Sequence, residues 1–147
     1  MAPISATIHV SRCADDVYAY TTDPSRFAQW QRGVVSGRIE PGTAPGQPER
    51  CIMVRRIGFT QRASTSELVH ADPPRSWTVK GIDGPIRARV DVTVTPVDTS
   101  RSAVTITVDF EGHGIGKLLV PLIVRRHAAH EMPANLATLK RQLENNP

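Results

Sequence analysis

Residues 115–143, IGKLLVPLIVRRHAAHEMPANLATLKRQL, decide the fold. Ile115, Leu118, Leu122, Ala129, Met132, Leu136, Leu139 and Leu143 recur at intervals of three, four and seven. That is the spacing of one helical face laid on a core, and it predicts a single long C-terminal helix. Two kinds of interruption qualify it. At about 100° per residue, Arg125 falls on the apolar side beside Leu122 and Ala129, where a Leu would be expected. Pro121 and Pro133 also lie inside the pattern. A proline removes one backbone hydrogen bond and crowds the preceding turn, costing roughly 3 kcal/mol and commonly kinking the helix. Pro121 can mark the start of the regular helix; Pro133 lies too deep for that. A helix of this kind seals a dry core poorly and is better suited to roof a cavity.

Upstream, the chain reads as the sheet that such a helix needs. Residues 4–10 alternate, with Ile4, Ala6, Ile8 and Val10 on one face, the pattern of a half-buried strand. Ser11 is placed to cap a helix whose first turn carries Asp15 and Asp16, where the helix dipole favours acids. Asp23 and Pro24 give the N-cap and first position of a second short helix, with Phe27 and Trp30 on one face and Gly33 at its end. Strand signals then fill 34–40, 51–59, 60–71, 76–82, 86–97 and 102–111. They are separated by turn residues such as Asp72-Pro73-Pro74 and Asp83-Gly84-Pro85. Short connections imply antiparallel hairpins, and one apolar face implies a sheet covered on one side. The expected class is α+β: a seven-stranded curved antiparallel sheet around one long C-terminal helix, with two short helices after the first strand.

The 147 residues form one expected domain, 1–147, large enough to bury about 68% of the unfolded surface. No apolar run approaches the roughly 18 residues of a membrane span, and the N-terminus lacks a signal-peptide layout, so a cytoplasmic protein is expected. Cys13 and Cys51 show neither CxxC spacing nor ligand-like neighbours and read as reduced structural thiols. The net charge is +4. Its arginines are scattered without interleaved aromatics, so nucleic acid is not an expected partner.

The order of these motifs resembles a known family. Ile8-His9-Val10 leads into Asp15-Asp16-Val17-Tyr18, then Asp23-Pro24 with Phe27 and Trp30. Glu67-Leu68 through Asp72-Pro73-Pro74-Arg75 with Trp77 comes next, and residues 139–144 close the chain. Over nearly the whole length this resembles the helix-grip fold of the START and pollen-allergen-like (SRPBCC) superfamily, nearest its polyketide cyclase/dehydrase-like branch. Two departures stand out. Arg12-Cys13 occupy the place of the family's usual Ala-Pro, and prolines interrupt Gly42 and Gly46 where plant members carry a glycine-rich loop. The resemblance implies a mostly apolar cavity between sheet and long helix, holding a lipid- or polyketide-like molecule. Fold alone does not decide among such functions.

Within that frame Phe27 and Trp30 are expected at one cavity mouth, and Met53, Trp77 and Met132 along its wall, Met being suited to adaptable apolar sites. Each reads first as plain core packing and only second as a ligand contact. Arg125 needs a carboxylate, a carbonyl or a ligand anion if it faces inward. Glu67, Glu111, an acidic ligand head or a turn toward solvent all remain open. His127, His130 and Glu131 superficially suggest a metal motif, but most of it faces solvent at helical spacing and no metal site is expected. His70 and Glu67, three apart on a strand, are expected on opposite faces, and His113 lies in the loop before the long helix. GxSxG, Walker and dinucleotide fingerprints are absent from the sequence. No catalytic residue and no cofactor are therefore assigned. The expectation is a monomeric or homodimeric carrier of a small hydrophobic molecule. The alternatives are a polyketide cyclase or dehydratase using the same cavity, and a regulatory interaction module.

Overall fold

The computed structural model describes residues 3–145. Seven strands form one curved sheet in the order β1-β7-β6-β5-β4-β3-β2, every neighbouring pair antiparallel. They are β1 (Ile4–Val10), β2 (Val34–Glu40), β3 (Arg50–Ile57), β4 (Thr60–Asp72), β5 (Ser76–Gly81), β6 (Ile86–Asp98) and β7 (Arg101–Gly112). The expected strands are present, with ends displaced by a residue or two. β3 stops at Ile57 because Gly58 turns the chain at a positive φ of 61°, a conformation that glycine adopts without steric cost.

Helix α1 (Ala14–Thr21) comes after β1 and carries Asp15 and Asp16 in its first turn. Its N-cap is Cys13 rather than Ser11, and no side chain caps it. Ser11 instead offers its backbone N–H to Glu144. The second expected helix is a tighter 3₁₀ segment, Pro24–Gln29, with the Asp23 carboxylate accepting the Ser25 N–H at 3.0 Å.

The C-terminal helix is continuous but not uniform. It runs as α2 (Gly116–Leu119), a π turn (Val120–Val124) and α3 (Arg125–Asn145). Pro121 has no N–H to give to the preceding turn, and the next turn widens: the Arg125 N–H reaches back five residues to the Val120 carbonyl. Pro133 sits on the solvent face of α3, which runs unbroken through it.

The π turn corrects the single apolar stripe. One extra residue rotates the first half of the helix by about 100° relative to the second half. Met132, Leu136, Leu139 and Leu143 are buried against the sheet, whereas Ile115, Leu118, Leu122 and Ile123 are between 58% and 67% exposed. Ala129 is exposed and Ala128 half-buried. Gly116 and Val120 are the residues of the first half that turn inward.

The end of α3 is tied down by polar contacts. Arg12 donates to the Leu143 carbonyl at 2.6 Å, Lys140 to the His9 carbonyl at 2.5 Å, and Glu144 accepts from Ser11 at 2.9 Å. Nearer the middle of the helix, Asn135 accepts the Arg32 N–H at 3.0 Å.

A candidate ligand-binding trough

Directly opposed residues of antiparallel strands share a face, so the register maps the concave side. Across β6 and β7 the inner pairs are Val94–Val104, Val92–Ile106, Val90–Val108 and Ala88–Phe110. The first two pairs are buried beneath α1 and α3; the last two are only half-buried. The inner rows of β3 and β4 behave alike, from buried Cys51 through half-buried Met53 to exposed Arg55, and from half-buried Leu68 to exposed Ser64 and Arg62. The concave face is therefore a packed core at the α1 end. It becomes an open apolar trough at the end where the β3–β4 and β5–β6 hairpins turn and α2 begins.

Two hollows lie along the sheet. One of about 520 Å³, open to solvent, is lined by Gly33, Val34, Val35, Arg56 and Gly58. The other, about 10 Å³, lies among Pro24, Ile39, Cys51, Leu68, Trp77 and Val79, at the lower limit for one water molecule. The apolar rim includes Ile57 and the fully exposed Phe59 at the β3–β4 tip.

Five of the six residues singled out from sequence gather in one place. Phe27, Trp30, Trp77 and Met132 are buried in the core cluster, and Met53 packs against it half-buried. Phe27 makes edge-on contacts with Trp30 at 5.8 Å and Trp77 at 6.2 Å, a favoured aromatic geometry. The buried Trp30 indole N–H has no acceptor among the described residues. Arg125 stands apart, half-buried at the start of α3 and outside this cluster.

The histidines lie elsewhere. A bulge at Val69 shifts the β4 register, which puts Glu67 and His70 on the same convex face rather than on opposite ones. There His70 Nε2 lies 2.8 Å from the Ser76 hydroxyl. His113 pairs with Glu111 at 3.1 Å on the surface. His127 and His130 are exposed, and Glu131 turns toward Arg32 at 3.7 Å.

Arg55 and Arg62 also lie on this inner face, and the sequence reading did not single them out. Arg55 is accessible to solvent yet surrounded by enough protein for desolvation to lower its pKa, an effect only partly offset by nearby Cys51. The same surroundings push the Cys51 thiol up to about 11. A period-two reading of Cys51, Met53, Arg55 and of Arg62, Ser64, Ser66, Leu68 would have placed both arginines on the inner face.

Residues 1–144 match the family model described as polyketide cyclase / dehydrase and lipid transport. No curated protein matches the chain. Among solved structures, a START superfamily protein from Mycobacterium smegmatis superposes with a TM-score of 0.79 at 13% identity, each chain covered in full. The di-domain ARO/CYC BexL of the BE-7585A biosynthetic pathway gives 0.77 at 20% identity. All of the present chain aligns there with 48% of BexL, so it spans about half of that protein's length. The Zhui aromatase/cyclase from a Streptomyces species gives 0.70 at 15% identity, covering 96% of this chain and 94% of that one. At these identities the likeness to the solved structures establishes the helix-grip fold and no more.

Proposed function

The chain belongs to the polyketide cyclase/dehydrase and lipid transport family, and we propose that it binds a small hydrophobic molecule, lipid- or polyketide-like, in the trough between sheet and C-terminal helix. The observation that carries this reading is the burial gradient along the inner face. The Val94–Val104 pair is closed off, while Val90, Val108 and Phe110 remain half-buried beside a helix half whose own apolar residues are exposed. Aliphatic surface left open at the concave end of an otherwise packed domain is the usual mark of a binding surface.

The fold supplies a way in. α3 is tied to β1 and to the loop before α1, whereas α2 rests on the β5–β6 turn through Gly116 and Pro85. The π turn between them is the natural hinge. In this reading the first half of the helix lifts and turns about its own axis at the π turn, the ligand's apolar part takes the place of solvent along Val90, Val108 and Met53, and the rotation brings Ile115, Leu118 and Leu122, now exposed, over it. A tail of about ten methylenes gains roughly 8 kcal/mol at about 0.8 kcal/mol per CH₂. That is comparable with the roughly 4–15 kcal/mol cost of association, so a polar group must help to hold and orient the ligand.

A second reading, cyclisation or dehydration of a bound polyketide, draws on one specific feature. The unpartnered Trp30 N–H is a buried donor able to polarise a ligand carbonyl. No helix among the described residues is long and apolar enough to cross a membrane. The two free cysteines, Cys13 and Cys51, suit a reducing compartment, and we place the protein in the cytoplasm on that ground.

Native mass spectrometry of the protein from its own host, with denaturation and identification of the released molecules, tests the proposal. A released lipid or polyketide in stoichiometric amount is the expected result. An empty protein that also takes up no apolar compound in vitro contradicts it.

A further inference from the structure

The β3–β4 register places Arg55 directly opposite Arg62. Cβ atoms of such pairs lie about 4.5–5.5 Å apart, and like charges so placed are destabilising. Both arginines stand on the concave face, continuing the inner rows of Cys51 and Met53 and of Ser66 and Ser64.

The convex face is arranged in the opposite sense. There Arg50 faces Glu67, Glu67 faces Lys80, Arg89 faces Asp109 and Arg87 faces Glu111. Lys80 also meets Arg89, but Arg89 has Asp91 at 3.3 Å. Among the described residues neither Arg55 nor Arg62 has a carboxylate within ion-pair distance. The one polar side-chain contact of Arg55 is the Gln31 amide oxygen at 3.4 Å, which holds the guanidinium at the trough's edge without neutralising it. A repulsive pair facing an apolar trough, in a protein that sets Arg50, Arg87 and Arg89 opposite acids, is an arrangement completed by an anion from outside.

We propose that Arg55 and Arg62 clamp the anionic headgroup, carboxylate or phosphate, of an amphiphile whose tail lies in the trough. The clamp rests on the ligand-binding reading above and names the chemical class of its ligand. Guanidinium groups bind carboxylate and phosphate through paired, charge-assisted hydrogen bonds. An anion between two of them also removes their mutual repulsion.

The test is calorimetric titration of the purified protein with dodecanoate, dodecyl phosphate and dodecanol, which share a tail and differ in headgroup. The wild-type protein is expected to bind at least one of the two anions about tenfold or more tighter than dodecanol, and the better anion identifies the headgroup. Arg55→Gln with Arg62→Gln is expected to erase that preference. The same double variant, without ligand, is expected to melt higher at low salt, the difference shrinking as salt is added. Dodecanol binding as tightly as both anions, or an anion preference that survives in the double variant, overturns the clamp and leaves the trough intact. Failure of all three probes to bind the wild-type protein overturns both.

Discussion

Glu144 accepts the backbone N–H of Ser11 at 2.9 Å, across 133 residues of sequence. With Arg12 on the Leu143 carbonyl and Lys140 on the His9 carbonyl, it fastens the last turns of α3 to the end of β1. Among the described residues, such side-chain ties concentrate at this end. The helix is thus held at one end and leans over an open trough at the other. Burial is concentrated in one half of the element, and the other half keeps its large apolar side chains exposed.

The tie has a pH signature. The Glu144 carboxyl titrates below the ordinary glutamate value, first because it accepts the Ser11 N–H and then because Lys140 lies beside it. A depressed folded-state pKa gives stability that is present above the unfolded value and is lost as pH falls through the folded one. Glu144→Gln is expected to lower stability near neutral pH, by no more than about 1 kcal/mol because the group is solvent-exposed. The loss should fade below about pH 4. Urea denaturation at both pH values checks this; an equal loss at both contradicts it.

The out-of-phase helix makes a sharper prediction, because Leu122 and Leu139 look equivalent in the sequence pattern. Leu139 is wholly buried and Leu122 is 58% exposed. Leu139→Ala is expected to cost roughly 2–5 kcal/mol, and Leu122→Ala to stay within about 0.5 kcal/mol. Comparable losses in the two variants would mean that the π turn does not set the two halves out of phase.

Gly116 anchors the free half. A Cβ there would run into the Pro85 carbonyl, so Gly116→Ala must push α2 off the β5–β6 turn. The expected cost is about 1–3 kcal/mol, with faster amide exchange over 116–124 and unchanged exchange in the last turns of α3. Unchanged exchange throughout is the opposing outcome.

Cys51 reports on the closed part of the trough. With its thiol pushed up to about 11 by burial, only about one molecule in a thousand carries the thiolate near pH 8. Iodoacetamide at that pH is expected to modify half-buried Cys13 well before Cys51, as read by peptide mass spectrometry. Equal rates would mean that the inner end of the trough is open.

Much of this was legible in the residues themselves. The strict alternation of Ile4, Ala6, Ile8 and Val10, and of Ile86 to Val94, determined strands and faces, because period two survives wherever one side is buried. The turn chemistry of Asp23-Pro24, Asp72-Pro73-Pro74 and Asp83-Gly84-Pro85 located breaks. Single-residue phase shifts escaped. The π turn after Pro121 and the bulge at Val69 each insert one residue, and each reverses which side chains share a face. A continuous periodicity count cannot see such insertions. Arg125 accordingly drew attention, whereas Arg55 and Arg62 did not, because the apolar alternation of the inner rows of β3 and β4 gives way to polar residues before it reaches them.

An apolar ligand on the half-buried end of the concave face would perturb that end and leave the closed core alone. Methyl NMR of the valine-, leucine- and methionine-labelled protein, titrated with dodecanoate and dodecanol, reads both regions at once. Saturable shifts are predicted at Val90, Val108, Met53, Leu118 and Leu122, with Val94, Leu139 and Leu143 unmoved. Shifts confined to the closed core, or absent from the trough while the ligand binds, would contradict a ligand in the trough.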